Sequence, residues 1–324
     1  MRSLRFDVAI VAFVIGTAAA SAQTYPARSI TLIAPFPAGG PLDAIARIIG
    51  EPMQAALGQA IVIDNVSGAG GNVGVGRLAR SQPDGYTIGM GQWSTHVVNP
   101  VTYKLNHDVI ADFEPIALLT DTPQIIIARK GFPAGDLKEL VAWLKANPDK
   151  ANAASVGAAG GAQVAAVYFQ QRTGTLFRFV SYRGGAPAMQ DLVGGQVDLM
   201  FDQGANAIEQ VRSGTIRAYT TMAKARWFAA PDIPTIDEAG LPGLHVTYWH
   251  AMWAPKGTPP DIVSRLNNAV RTALADANAR KRLGALGHEI WPPQQQSPAA
   301  LLAFHKSEIE KWWPIVRATG LKAE

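Results

Sequence analysis

The sequence of 324 residues contains no cysteine. Disulfides and thiolate metal sites are thereby excluded, and a chain this long can bury a large core without them. Charge is also scarce. Asp, Glu, Lys and Arg make up 17% of the residues, where about 25% is typical. The net charge is +4, and the basic residues are scattered. A nucleic-acid partner needs a clustered basic face, so that class is excluded. Beyond the N-terminus no apolar run approaches the ~20 residues of a spanning helix. Hydrolytic signatures are missing as well: there is no H-E-x-x-H and no G-x-S-x-G. A Walker loop is absent, and no pair of the six histidines has helical metal-ligand spacing. Neither a metal nor a cofactor is expected. Repeats and low-complexity tracts are absent too.

What is present begins with a leader. Arg2 and Arg5 precede the apolar run Val8 to Ala20, and Ala20-Ser21-Ala22 is a small-x-small cleavage signal. The run is too short to span a membrane. It reads as a secretory signal peptide over residues 1–22, cleaved after Ala22, with export to the periplasm. Neither Ala22 nor Gln23 is a cysteine, which rules out lipid attachment there.

The remaining chain alternates β-rich and helical runs, the mark of an α/β fold. Ser29–Ala34, Ala60–Asp64 and Tyr86–Met90 read as strands, with helices from Pro41 to Leu57 and up to Arg80 between them. Ile116–Leu119 and Gln124–Arg129 read as two more strands, broken by Pro123. Asp136-Leu-Lys-Glu139 is a capping box opening a helix. A second β-α series then runs from Ala151 to Met222. Two such series imply two lobes, each with its own sheet. Ala229–Gly243 is rich in Pro and Gly and suits a crossing between lobes. His245–Ala254 reads as a strand. A helix follows from Thr258 to Asp276, and another from Ser297 to Ala318 that Pro314 should kink or end.

Two Gly-rich turns stand between a strand and a helix: PFPAGGPLD at 35–43 and SGAGGN at 67–72. Such a turn aims free backbone N–H groups and the positive end of a helix dipole at a ligand, an anion site without Arg or Lys. In a parallel sheet both lie at strand carboxyl ends, where α/β ligands bind. Alternatively, the glycines only permit tight turns. Gly68-Ala69-Gly70 imitates a dinucleotide fingerprint, but Val73 stands at the third glycine position. No acid occurs about 20 residues on, where residues 88–92 are Ile, Gly, Met, Gly and Gln.

Further turns of this kind are SVGAAGG at 155–161 and Arg183-Gly184-Gly185. Asp202 follows the strand VDLMF; it either accepts a hydrogen bond from a ligand or caps a helix. His96, after Ser94 and Thr95, is placed to face the cleft as a hydrogen-bonding residue. Trp93 and Trp249 are candidates for packing a ligand's carbon skeleton, whereas Trp143, Trp312 and Trp313 read as core.

Together these segments resemble the substrate-binding proteins of tripartite tricarboxylate transporters, the Bug family. The landmarks are YPARSITLIAPFPAGGPLDAIAR, VSGAGGN, PDGYTIGMG, STHVVNP, YRGGAPAMQDLVGGQVDLMFD, PTIDEAGLPG and APKGTPP, which cover nearly the whole chain in order. The resemblance implies a two-lobed periplasmic binding protein of the Venus flytrap kind, type II-like. Residues 23–122 plus 229–324 would form lobe 1 and residues 123–228 lobe 2. It implies a receptor acting as a monomer. It would capture a small carboxylate, a dicarboxylate or an aromatic one, and hand it to the membrane permease subunits of such a transporter.

The site residues carried over are Pro37, Ala38, Gly39, Gly40 and Asp43, with Gly70, Gly71 and Asn72 opposite, then Ser94, Thr95 and His96, and Gly184 and Asp202 from lobe 2. One stretch departs from the family. Gly160, Gly161 and Gln163 stand where a Ser/Thr-rich turn and a histidine are usual, which leaves backbone donors and more room. The rival class is an enzyme on a similar α/β frame, an oxidoreductase or a hydrolase; that class requires a nucleophile–base pair or a cofactor motif.

Overall fold

The computed structural model describes residues 25–323; the expected leader and its expected cleavage site lie outside them. Among the described residues no helix is long and apolar enough to cross a membrane.

In chain order the first elements are β1 (Ile30–Ala34), α1 (Pro41–Leu57), β2 (Ile61–Asn65), α2 (Asn72–Ala79), β3 (Thr87–Gln92), α3 (Asn99–Thr102) and β4 (Phe113–Arg129). The middle of the chain supplies α4 (Leu137–Ala146), β5 (Asn152–Val156), α5 (Gly161–Thr173), β6 (Arg178–Tyr182), α6 (Gly185–Val193), β7 (Leu199–Gln203), α7 (Gly204–Arg212) and β8 (Ile216–Thr221). It closes with β9 (Thr247–Pro255), α8 (Pro260–Ala275), α9 (Ala277–Ala285), β10 (Glu289–Ile290) and α10 (Pro298–Ala318).

The strands run in the order β2-β1-β3-β9-β4-β7-β5-β6, with β8 and β10 also on β4. The flanks are parallel: β1 with β2 and β3, and β5 with β6 and β7. Every pairing of β4 is antiparallel. This is an α/β architecture, a curled sheet flanked by helices. The apolar faces of α1 and α8 bury Leu42, Ile45, Ile49, Leu266 and Val270 against one side of the half of the sheet that holds β1 to β3. The other side packs on α10, whose Trp312 and Val316 are buried.

Two sequence expectations are corrected. Pro123 does not break a strand. β4 runs through it for 17 residues, paired with β9 as far as Pro123↔Thr247 and with β7 from Gln124↔Gln203. The proline sits at the handover between partners, where a missing ladder N–H is tolerated. Pro314 neither kinks α10 enough to divide it nor ends it; the helix continues to Ala318. Only about one turn follows the proline, so one lost backbone bond is the main consequence. The expected cap at α4 forms, with one difference: Asp136 accepts from Glu139 N–H at 2.8 Å, while the Glu139 carboxylate reaches one residue past the cap and accepts from Gly135 N–H at 2.6 Å.

Candidate functional site

A cavity lies between the two halves of the sheet, at the carboxyl ends of the parallel strands. Three helices open onto it. Gly40 precedes α1, Gly160 precedes α5 and Gly184 precedes α6, all extended, and none of these ends carries a side-chain cap. Helices α4, α9 and α10 do have caps, from Asp136, Asp276 and Ser297. The difference is chemical. A capping side chain would occupy the first-turn N–H groups, and here they stay free. Among the described residues, Leu42, Gly161, Ala162, Gly185 and Ala186 donate to no protein acceptor, and all five line the cavity. No Lys or Arg among the described residues lines it. Converging uncapped N-termini make an anion site from backbone alone.

The rest of the wall is polar at one end and apolar at the other. Phe36, Pro37 and Val156 supply carbon. Ser94, Gln92, Gln203, Tyr248 and Asp202 supply polar atoms. Gln92 donates to Ser94 Oγ at 2.9 Å, and Gln203 donates to Gln92 Oε1 at 3.1 Å across the interlobe gap. Behind them His250 Nε2 lies 3.1 Å from Gln203 Oε1, and its Nδ1 lies 3.1 Å from Thr120 Oγ1. Burial holds the His250 pKa far below its ordinary value. His250 therefore orients Gln203 as a neutral ring.

Of the sequence-nominated residues, Pro37, Gly40, Ser94, Gly161, Gly184 and Asp202 are brought to this wall. The others lie off it. Ala38 and Gly39 form the exposed tip of the first turn. Asp43 is a brace: its Oδ2 accepts from Gly39 N–H and Arg47 Nε, each at 3.0 Å. Burial raises its pKa, but these bonds and the Arg47 charge outweigh that and hold it below the usual value. Gly70, Gly71 and Asn72 are held by Asn99, whose amide donates to Gly70 O at 3.0 Å and Asn72 Oδ1 at 2.7 Å. This turn meets the other lobe at Gly157, where a Cβ would lie 2.9 Å from Gly70 Cα. Gly160 caps α5, and Gln163 folds back to accept from Ala159 N–H at 2.7 Å. The placement of both differs from the expected open wall, since Gln163 closes its own loop.

The aromatic candidates are corrections. Trp93 is fully buried, edge-on to Tyr248 and Trp312. Trp249 is buried beside Phe304, with its Nε1 donating to Glu308 at 3.1 Å. Thr95 and His96 are also fully buried. A π-helical turn at Ser94–Val98 rolls the His96 ring back onto Trp253, stacked with centroids 3.8 Å apart. Nor do the glycines of α5 and α6 enlarge the pocket. A Cβ on Gly161 would lie 2.8 Å from Trp93 Cζ3, and one on Gly185 would lie 2.9 Å from Asn206 Nδ2.

Gln92, Gln203 and Tyr248 escaped the sequence reading. Strand alternation was the available signal. On β9, Tyr248 and Trp249 must face opposite sides, so choosing Trp249 for its size chose the wrong face.

Residues 45–321 match the family described as "Tripartite tricarboxylate transporter family receptor". The chain belongs to that family. The receptor is 33% identical to the protein BugT of Bordetella pertussis, over 97% of this chain and 98% of that one. Among solved structures, MatC of Rhodopseudomonas palustris with bound malate is 39% identical, with a TM-score of 0.87 over 90% of this chain and 100% of that one. The periplasmic binding protein BugD is 38% identical, with a TM-score of 0.88 over 93% of this chain and all of that one. The receptor is thus a solute-binding protein in kind as well as in fold.

Proposed function

We propose that the receptor captures a small dicarboxylate in the periplasm and hands it to the permease subunits of a tripartite tricarboxylate-type transporter, without catalysis. The observation that carries this reading is the convergence of the uncapped N-termini of α1, α5 and α6 on one cavity without a basic side chain. Lobe 1 is taken as residues 23–122 plus 229–324 and lobe 2 as residues 123–228, with β4 as one crossing strand. Phe36, Pro37, Val156, Gly161 and Tyr248 wall the cavity closely. With Trp93 and Trp249 in the core, a compact aliphatic acid fits this reading better than an aromatic one. Relatives support it: MatC holds malate, and an R. palustris protein 29% identical, covering 92% of this chain, was solved with adipate.

Titration calorimetry with malate, succinate, adipate and benzoate tests the proposal. A dicarboxylate should bind, and its monomethyl ester should bind roughly 10- to 100-fold more weakly, the loss of charge-assisted hydrogen bonds. Equal affinity for acid and ester would remove the anion site; binding of benzoate alone would remove the size argument. The leader has its own check. Protein recovered from the periplasm should have the mass of a chain starting at Gln23, and a full-length mass would refute export by cleavage.

A further inference from the structure

The wall of the cavity is rich in donors: free helix N–H groups, the Ser94 hydroxyl and the Tyr248 hydroxyl. Asp202 is the exception. It is 5% exposed and lies on the wall at the end of β7, just before α7. Its Oδ1 accepts from Gln203 N–H at 2.8 Å, and its Oδ2 accepts from the Asn206 amide. An ionised Asp202, itself buried, and an anionic ligand would therefore share one cavity with no cationic side chain among its lining residues. Two carboxylates so confined do not both stay ionised; one proton is retained between them.

Resting on the dicarboxylate reading above, we propose that ligand capture is coupled to uptake of one proton by Asp202, which then donates a hydrogen bond to the ligand's carboxylate. Among the described residues no cationic side chain lines the cavity with Asp202, and Arg183, next to the wall residue Gly184, is exposed. On β4, Asp202 pairs with Ile125, and β5 (Asn152–Val156) carries no ionisable residue. The charged residues of α5, α6 and α7 (Arg172, Asp191, Glu209 and Arg212) sit toward the far ends of those helices. Tyr248 faces Asp202 from β9, and burial together with the Asp202 charge keeps its phenol un-ionised. Asp43 is engaged by Arg47, and His250 reaches the wall only through Gln203. Burial already lifts Asp202 to about 7 before any ligand arrives, against the lowering hydrogen bonds of Asn206 and Gln203.

The sign follows. A bound carboxylate raises the Asp202 pKa further, so affinity is complete below the pKa of the free protein and falls as pH rises through that of the complex. The probe is succinate, which is fully ionised at neutral pH. Calorimetry at pH 8 in phosphate, HEPES and Tris, whose ionisation enthalpies differ, counts the protons exchanged. Uptake of between about half and one proton per ligand is expected, with Kd rising up to tenfold per pH unit above pH 7. Asp202→Asn should bind with no proton uptake and a flat profile from pH 7 to pH 9. That arm also separates Asp202 from Asp121, lifted by burial to about 7 on the crossing strand. His288 and His305, at about 3 and 4, do not titrate in this range. Binding without proton uptake, proton release, or an unchanged slope in Asp202→Asn would overturn the proposal while leaving the receptor function intact. Absence of binding by every dicarboxylate would instead overturn the function. If that variant fails to fold, the wild-type buffer series still overturns the proposal should it show no proton uptake, and Asp121→Asn, which should keep full proton uptake, takes over the separation of Asp202 from Asp121.

Discussion

Replacing Gly161 by alanine is expected to weaken ligand binding at least 100-fold without unfolding the protein. The added Cβ would lie 2.8 Å from Trp93 Cζ3 and 2.9 Å from both Ser94 Cβ and the Tyr248 hydroxyl. Trp93 cannot retreat, because it is fully buried against Trp312. Ser94 Cβ is fixed to the backbone of the π-helical turn. Yet Gly161 belongs to α5, which packs on the second half of the sheet, whereas Trp93 and Ser94 follow β3 in the first. The collision exists only when the lobes meet. Within its own lobe the substitution sits in the first turn of a helix, where alanine is well accepted. The variant should fold and remain open, and it should lose the affinity that depends on closure. A 100-fold loss corresponds to about 2.7 kcal/mol. Calorimetry gives the affinity, and small-angle scattering should show no ligand-induced decrease in radius of gyration. Wild-type affinity in this variant would mean that the lobes close in some other register.

Gly91→Ala should act on the fold itself, lowering stability by about 3 kcal/mol, the upper end of ordinary overpacking. A Cβ there would fall on the His96 ring and lie 2.9 Å from Trp253 Cζ3. Those two rings are stacked, and both are buried. His96 is further pinned through its carbonyl, which accepts from His305 Nε2 at 2.7 Å. The ring has nowhere to move without breaking the wall around Val97 and Val98. Thermal unfolding should show a midpoint lower by several degrees, at roughly 2–4 °C per kcal/mol for a chain of moderate size. An unchanged midpoint would refute the claim that this layer is rigid.

These two glycines show where reading from sequence succeeds and where it stops. The α/β alternation, the Asp136 cap and the turn at Gly40 are local, set by residues a few positions apart, and they were legible. Gly161 was noticed too, but as added room. Its neighbours Trp93 and Tyr248 come from distant parts of the chain, and only their arrival shows that the space is already filled. Trp93 and Trp249 were nominated because large aromatic rings often meet ligands. The alternation along β9 puts Tyr248 on the opposite side from Trp249, and the π-helical turn after Trp93 directs His96 inward. Gln92 and Gln203 carry no motif. Their importance is a hydrogen bond between lobes, 111 positions apart in the chain. Pro123 misled for the same reason: whether a proline breaks a strand depends on which partner would have received its N–H.

The place of β9 has a consequence for how the molecule is assembled. It lies between β3 and β4 in the sheet, yet it is among the last strands to emerge from a ribosome or an export channel. Until it arrives, β3 and the first half of β4 present bare hydrogen-bonding edges to each other across a gap one strand wide. Such edges are open to pairing with other chains. The middle stretch of the chain, by contrast, supplies β5, β6, β7 and β8, and once it has emerged it lacks no strand of its own half of the sheet. Assembly is therefore expected to proceed from the middle outward in time, with the first-made strands waiting for a keystone encoded near the end.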